Sequence, residues 1–378
     1  MHGNTDNKYL LQIVSLFQNK LFKEALDLSK KKELSNSIIQ KNPEFHNIIG
    51  LINLELKDWN SAIINFNNSI DLDKKFRPAH FNLGIVYYDT GEFKKSYSKF
   101  LDVISIEKDN KRAQENMIKI LDLETIKNQD KFSFINSELQ KIKLDLNFYK
   151  EIDNNKIINL YKLSNQIVSK LMRDLSFREH QLFVHNKGDL NCERHFRIFN
   201  THKIIPKNCF GCLKIIIHLY NVVDLIKLSL IFKNFELLKN NEMKCRIDFD
   251  QKFYRGYIYC NSIEELNFIK DKLQEIINIQ FKKNYKIETR RGCSEFSKLF
   301  NKFKNIDDKL DKMFSYPNEW MQKEVLYDNT NYKNGLVKLR NVKKPLKGIT
   351  LNNFLIINNW VNYAKSIGDL SFSNNFKT

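Results

Sequence analysis

The stretch AHFNLGIVYYDTGEFKKSYSKFLDVISIE, residues 79–107, repeats the pattern of the residues that lie 34 positions before it. Small, apolar and aromatic residues recur at matching positions in the two copies. The matched pairs are Gly50 and Gly84, Ile49 and Leu83, Ala62 and Ser96, Phe66 and Phe100, Leu72 and Ile106, and Ala79 and Ala113. Small residues at fixed places among large apolar ones indicate helices that cross closely and stack. The period therefore predicts a helical repeat in the N-terminal third of the chain.

The pattern resembles the tetratricopeptide repeat (TPR), a helix–turn–helix unit of about 34 residues. The residues predict an irregular first helical pair at 8–29, with Ala25 at its crossing. Two regular units follow at 42–75 and 76–109, and a helix at 111–125 caps the array. Repeats of this kind present a surface to a partner and rarely carry out chemistry, so the resemblance implies a protein-binding module.

The resemblance also implies a concave groove formed by the first helix of each unit. The implied groove residues are Asn47, Leu51, Leu54, Phe81, Ile85 and Tyr88. TPR grooves that capture a peptide carboxylate use Lys, Arg and Asn, whereas this lining is mainly apolar. It favours an apolar segment or helix of a protein partner. The alternative is that the chain's own following helices, at about 133–178, fill the groove, because an exposed apolar groove is a liability.

The positive charge is distributed unevenly along the 378 residues. The whole chain has a net charge of +18, of which residues 1–130 contribute +1 and residues 131–378 contribute +17. This asymmetry indicates RNA or another anionic partner for the second part, and the alternative is a solvated basic surface. The sequence shows neither a membrane-spanning apolar run nor a signal-peptide pattern, so we expect no membrane contact and a cytoplasmic location.

A second domain is predicted from alternating hydrophobicity and helix caps. Its predicted elements are, in order, a strand at 213–220, a helix at 222–237, strands at 243–250 and 254–261, a helix at 263–282 and a strand at 284–291. Asn221 and Ser262 are the expected N-caps, and Glu265 would complete a capping box with Ser262. The order β-α-β-β-α-β predicts a ferredoxin-like α+β domain. The fold class is therefore an α-helical TPR solenoid followed by this domain.

Four segments follow from these elements. They are a TPR domain at 1–130, a helical connector at 131–180, a basic, cysteine-containing α+β domain at 181–300, and an irregular C-terminal segment at 301–378. The last segment contains a short helix near 303–314 and an amphipathic helix at 351–366 capped by Thr350. The apolar residues predicted to dock this final helix on a domain surface are Phe354, Leu355, Ile356, Trp360, Val361 and Tyr363.

One face of the predicted sheet carries cations around aromatic rings. Its predicted members are Lys214, Ile216, His218, Lys244, Arg246, Arg255, Tyr257, Tyr259, Lys286, Glu288 and Arg290. This arrangement is similar to RNA-recognition-motif domains, whose rings stack on bases and whose cations hold phosphates, although Ile216 stands where that family has an aromatic. The candidate nucleic-acid residues are Lys214, His218, Arg246, Arg255, Tyr257, Tyr259 and Arg290. The alternative is that the cysteine segment or the C-terminal helix covers this face.

All six cysteines lie between residues 190 and 295. The spacing of two knuckle-like pairs predicts a candidate structural zinc site, to which the expected sheet adds Cys293. The candidate ligands are Cys192, His195, Cys209, Cys212 and Cys293. Ordinary packing thiols are the alternative. Cys245 and Cys260 are expected to be buried, facing each other across the hairpin.

Enzyme motifs do not occur: the chain has no G-x-x-x-x-G-K, G-x-G-x-x-G, H-E-x-x-H or G-x-S-x-G. The sequence therefore predicts a non-enzymatic protein-binding adaptor with no catalytic residue, and with zinc as its sole candidate cofactor. Two alternatives stay open. One is an RNA-binding protein that uses the sheet face, and the other is an enzyme of unknown reaction built on the Cys/His cluster.

Overall fold

A computed structural model of the chain describes most of its length. The described residues are 2–31, 38–127, 130–172, 175–185, 192–234, 243–249, 253–281, 283–292, 296, 315–331 and 345–372. The chain forms two compact units, one of residues 1–120 and 323–341 and the other of residues 121–322 and 342–378. Among the described residues, no helix combines the length and apolar character needed to cross a bilayer.

The first unit, called here the repeat unit, consists of helix pairs joined by short turns and forms TPR-like repeats. Its helices are α1 (His2–Gln18), α2 (Phe22–Ser29), α3 (Pro43–Glu55), α4 (Trp59–Leu72), α5 (Arg77–Asp89), α6 (Phe93–Ile106) and α7 (Lys111–Leu121), with a 3₁₀ turn at Ile38–Lys41 before α3. The pairs α3–α4 and α5–α6 match the two predicted regular units, and α1–α2 matches the irregular first pair. Helix α7 begins at the predicted residue and ends before residue 125.

Each regular pair is held together by a glycine against a phenylalanine ring. A Cβ atom at Gly50 would lie 2.5 Å from Cε1 of Phe66, and one at Gly84 would lie 2.9 Å from Cε1 of Phe100. Both rings are fully buried. Because only glycine leaves room for the ring at this distance, the 34-residue recurrence of Gly and Phe reflects the contact between the two helices.

The recurrence of Ala62 as Ser96 also has a packing explanation. Both side chains are fully buried. The Ser96 hydroxyl donates a hydrogen bond to the main-chain oxygen of Gly84 at 2.7 Å. A buried hydroxyl is tolerated when it has such a partner, so serine fits at a crossing where alanine stands in the preceding repeat.

The three turns inside the helix pairs share one backbone conformation. Lys20, Lys57 and Gly91 have φ angles of 63°, 59° and 81°, in the left-handed region. After each of them, the next main-chain N–H donates to the carbonyl five residues earlier, as in Leu21 to Leu16 and Glu92 to Tyr87. This is the Schellman motif, whose left-handed position favours glycine. Two of the three pairs place a lysine there.

The second unit, called here the sheet unit, contains a five-stranded antiparallel sheet. Its strands are β1 (Gln181–His185), β2 (Leu213–Leu219), β3 (Met243–Asp248), β4 (Phe253–Cys260) and β5 (Ile287–Arg291), in the spatial order β1-β3-β4-β2-β5. Strands β3 and β4 form the predicted hairpin, and β5 runs antiparallel beside β2 as expected. Strand β1 is an addition to the prediction and pairs with the outer edge of β3. Its five residues are too few to set a recognisable alternation.

From residue 131 onward the chain also forms helices. They are α8 (Lys131–Gln140), α9 (Leu146–Lys150), α10 (Asn154–Met172), α11 (Cys192–His202), α12 (Lys207–Gly211), α13 (Val222–Asn234), α14 (Ile263–Phe281), α15 (Asn318–Asn331) and α16 (Leu351–Ser366). Helix α13 contacts four strands, and it also contacts α10 and α16. Every residue from Val222 to Phe232 is buried. A helix that is buried on all sides is expected between other elements, and α13 packs on the strands and on α10 and α16.

The predicted caps of the sheet unit are present, with one difference. Asn221 accepts a hydrogen bond from the Asp224 N–H at 2.8 Å, and the Ser262 hydroxyl accepts one from the Glu265 N–H at 3.1 Å. The Glu265 carboxylate accepts from the N–H of Asn261, one residue before the expected position. Both helices nevertheless begin where their caps predict.

The final helix has the predicted bounds, cap and buried face. The Thr350 hydroxyl accepts from the Asn353 N–H and donates to Asp122 at 2.7 Å, and the Asn353 amide donates to Asp122 at 2.9 Å. The indole of Trp360 donates to the main-chain oxygen of His180 at 2.7 Å. The predicted docking residues Phe354, Leu355, Ile356, Trp360 and Val361 are at most 3% exposed. Tyr363 is partly buried and contacts the Phe249 and Tyr254 rings.

The observed division differs from the four predicted segments. The connector at 131–180 and the final helix belong to the sheet unit, because α10 and α16 pack on α13. Residues 323–331 of α15 belong to the repeat unit, where the Lys23 ammonium donates to the Asn329 main-chain oxygen at 2.7 Å. The helix predicted near 303–314 lies outside the described residues.

The expected pairing of Cys245 with Cys260 is wrong. Both thiols are buried as predicted, but Cys245 lies opposite Gly256 and Cys260 lies opposite Leu213. In the observed register Asp248 lies opposite Phe253, and this register brings other residues together. Burial raises the pKa of the Cys245 thiol well above its ordinary value.

We predict that Gly50→Ala destabilises the repeat unit by about 1–3 kcal/mol, because the new methyl group overpacks the Phe66 ring. A helical Gly→Ala change alone stabilises by about 1 kcal/mol, so a net loss requires the clash. Gly84→Ala should cost less, since its contacts are longer. Urea unfolding followed by circular dichroism measures the effect. Gly211→Ala, whose Cβ meets nothing within 4 Å, is the control. An unchanged midpoint for Gly50→Ala would contradict the prediction.

Lys57→Gly should stabilise the repeat unit by about 1 kcal/mol, because glycine removes the steric cost of the left-handed turn position. Lys75→Gly, at an exposed position without a positive φ, is the matched control and should bring no gain. The same unfolding experiment measures both. Equal effects of the two changes would show that the turn conformation is not the cause.

Candidate functional site

The strand register places the predicted cations and rings of the sheet on one face. Residues directly opposite each other in neighbouring strands share a face. The observed pairs on this face are Lys214 with Tyr259 and Arg290, Ile216 with Tyr257 and Glu288, His218 with Arg255, and Lys244 with Tyr257 and Phe183. All seven candidate nucleic-acid residues therefore lie together on what we call the basic face.

Like charges stand directly opposite each other at two places on the basic face. Arg246 of β3 faces Arg255 of β4, and Lys214 of β2 faces Arg290 of β5. Such cross-strand pairs repel and destabilise a sheet unless anionic groups neutralise them. Two carboxylates of the chain offset part of this charge, because Asp248 pairs with Arg255 and Glu288 pairs with Arg290.

The two tyrosines of the basic face lie under cations. The Lys244 ammonium is 5.7 Å from the centre of the Tyr257 ring and 5.0 Å from that of Tyr259, and the Arg246 guanidinium is 4.8 Å from Tyr257. Tyr257 is only 3% exposed. These cation–π contacts stabilise the face. They also mean that no base can stack on Tyr257 until its neighbours move.

A cavity of about 370 Å³ opens on the β2–β5 side of the basic face. Its lining combines cations, one carboxylate, one imidazole and two exposed rings. The lining residues are Ile216, His218, Tyr220, Phe253, Arg255, Lys286, Glu288 and Arg290. Its volume falls in the range of small-molecule sites.

His218 and Glu288 form an ion-pair geometry in this cavity, with His218 Nε2 3.0 Å from a Glu288 carboxylate oxygen. Burial lowers the pKa of His218 below its ordinary value, although the bond to Glu288 acts in the opposite direction. Burial alone would raise the pKa of Glu288, but the hydrogen bonds from Arg290 and His218 outweigh it and lower this pKa. At neutral pH the imidazole is therefore neutral and the carboxylate is charged.

Three cavity residues were not among the candidates predicted from the sequence. Tyr220 and Phe253 were not assigned to the face, and Lys286 was assigned to the face but not named as a binding residue. Simple alternation would have found the first two, since Tyr220 continues the series of His218 along β2 and Phe253 precedes Arg255 by two residues. Both rings are exposed, Tyr220 by 61% and Phe253 by 40%. They form the aromatic rim of the cavity.

The predicted groove residues of the repeat unit are half-buried, except for one. Asn47 is buried, and its carboxamide oxygen accepts a hydrogen bond from Asn82 at 2.9 Å. Leu51 and Leu54 pack beside the core of the second pair. Phe81 lies edge-on to Phe100 with a ring distance of 5.4 Å.

The remaining two groove positions differ in their contacts. Tyr88 contacts the Phe93 ring edge-on, at 5.5 Å. Ile85 lies one turn after Phe81 on α5 and is partly exposed. The predicted lining is thus mainly apolar and, apart from Asn47, partly exposed, although Phe81 and Tyr88 also contact rings of α6.

The candidate zinc ligands differ in how exposed they are. Cys192 is exposed at the start of α11, His195 is buried one turn later, and Cys209 is buried in α12. The two expected knuckles are instead parts of helices. Gly292 donates its N–H to the Cys212 main-chain oxygen at 2.7 Å, which agrees with the expected approach of that strand end. Cys293 itself lies outside the described residues. Within the part of the chain that is described, no three His, Cys, Asp or Glu residues are grouped to hold a metal ion.

Comparison with known proteins gives structural similarity alone. No protein-family model matches the chain, and no curated protein matches its sequence. Solved structures that resemble it include MamA, with 17% identity, a TM-score of 0.30, and coverage of 45% of this chain and 82% of MamA. Another is YrrB, described as a TPR protein with an unusual peptide-binding site, with 14% identity, a TM-score of 0.28, and coverage of 45% and 72%.

We predict that Glu288→Gln lowers the pKa of His218 further, because the substitution removes the carboxylate that favours the imidazolium. An NMR titration of the His218 ring resonances measures this shift. Glu275→Gln, an exposed carboxylate on α14, is the control and should leave the titration unchanged. A His218 pKa above the ordinary value of about 6.5 in the parent protein would contradict the assigned environment.

Proposed function

We propose that this protein is a non-enzymatic adaptor whose repeat unit binds a protein partner. The observation that carries the proposal is the array of stacked helix pairs, in which the first helices present a mainly apolar surface around Leu51, Leu54 and Ile85. Stacked helical repeats are extended scaffolds that typically present such surfaces to other proteins.

The chemistry of this surface favours an amphipathic helix or apolar segment as the partner. Asn47 and Asn82 satisfy each other, so these amides are engaged rather than poised for a peptide carboxylate. The repeat unit also accepts a helical segment of the same chain, residues 323–331 of α15. In helix-in-groove recognition the partner helix lays its apolar face on an apolar surface, and Phe81, Ile85 and Tyr88 lie on successive turns of α5 to provide one.

We further propose that the sheet unit has the ferredoxin-like fold with one added edge strand. The order β3-β4-β2-β5, all antiparallel, together with crossover helices α13 and α14, supports this assignment. The cytoplasm stays the proposed location. In this arrangement the repeat unit recruits a partner, and the sheet unit carries most of the positive charge of the chain.

Ile85→Arg should abolish partner binding, with an at least tenfold loss of recovered partner, because the new charge would be buried without a counter-ion. Affinity capture with the full chain from its native cells, with and without nuclease, measures this loss. Ile64→Arg is the matched control, because Ile64 is a 59% exposed residue on the second helix of a pair. A protein recovered equally by all three chains, or lost on nuclease treatment, would contradict the proposal.

A further inference from the structure

The cavity of the basic face has a lining suited to a multiply charged anion. Arg255, Lys286 and Arg290 contribute permanent cations, and Glu288 is the one lining carboxylate. Lys286 is exposed, and the Arg290 side chain is 49% exposed, so both can reach a ligand without rearranging the sheet. Guanidinium and ammonium groups that converge in this way are typical of phosphate recognition.

The charge arrangement of the sheet gives an independent reason to expect an anion. Arg246 lies opposite Arg255, and Lys214 lies opposite Arg290. On its other side Arg255 lies opposite His218 of β2. The Arg255 charge is among the influences that lower the pKa of His218, after burial. Asp248 and Glu288 offset only part of this repulsion. A bound dianion beside Arg255 and Arg290 would relieve the remainder.

The rim of the cavity is aromatic. Tyr220 and Phe253 are 61% and 40% exposed, so both rings are accessible to a ligand. Tyr220 is steadied from one side by Tyr285, at a ring distance of 5.6 Å and an angle of 31°. A fixed ring beside a phosphate-binding group offers a stacking surface for a planar base.

We propose that this cavity binds a nucleotide. Lys286, Arg255 and Arg290 hold its phosphate, and its base packs against the Tyr220 and Phe253 rings. The same chemistry is offered by a free nucleoside monophosphate and by one residue of a single-stranded RNA. This site belongs to the sheet unit, so it is tested independently of partner binding by the repeat unit.

Calorimetric titration of the full chain distinguishes these ligands. The probes are adenosine 5′-monophosphate, adenosine, inorganic phosphate and an octamer of adenylate. The monophosphate should bind at least tenfold more tightly than adenosine or phosphate alone, since it engages both the cations and the rings. If the octamer binds and competes with the monophosphate, the cavity accepts a residue of single-stranded RNA. If the octamer does not bind, the ligand is a free nucleotide. Equal binding of adenosine and its monophosphate would overturn the proposal.

Variants separate the phosphate and base contacts. Lys286→Ala and Arg290→Ala should each weaken binding of the monophosphate about tenfold. Tyr220→Ala should weaken the monophosphate about tenfold and leave inorganic phosphate unchanged. Lys272→Ala, an exposed lysine on α14 paired with Glu275, is the matched charge control. Unfolding midpoints check that each variant is folded. If Lys272→Ala weakens binding as strongly as Lys286→Ala, the effect depends on net charge alone, and the proposed site is wrong.

Discussion

The repeat unit depends on the contact between a glycine in one helix and a phenylalanine ring in the next. At Gly50 and Gly84 the absence of a side chain lets the helices of a pair approach until the ring fills the space between them. Because this spacing recurs every 34 residues, the pairs take similar crossing geometries and can stack in register. The surface formed by the first helix of each pair therefore depends on that contact.

Most of the repeat unit could be predicted because its determinants are local and periodic. Gly, Ala, Phe and the turn positions recur on one period, and each helix begins near the expected residue. Alternation and caps likewise predicted four strands and the helices α13, α14 and α16. The prediction missed β1, whose five residues acquire their role only by pairing with β3, sixty residues later in the chain.

The candidate site shows where single-sequence inference stops. Alternation correctly places Tyr257 and Arg246 on one face, because that depends on the pleat of a strand alone. It does not predict that Arg246 and Lys244 cover the Tyr257 ring, since the cover depends on side chains from neighbouring strands. The resemblance to base-stacking sheets therefore fails at Tyr257, one of the rings on which it was based, because this ring is covered. The rings with the greatest exposure there are Tyr220 and Phe253, at the strand ends.

The two units are interleaved in the chain, and this has a consequence for biosynthesis. The repeat unit includes residues 323–331, and the sheet unit includes α16, whose Thr350 is bonded to Asp122 across 228 positions. Each unit therefore lacks one of its parts until a distant later segment has been synthesised. Domains usually fold in turn as they emerge, whereas here residues 323–331 follow α7 by about 200 positions, so the repeat unit is completed only after most of the sheet unit has been made. The apolar sides of α13 and α10 therefore lack one of their packing partners, α16, until residues 351–366 have been made.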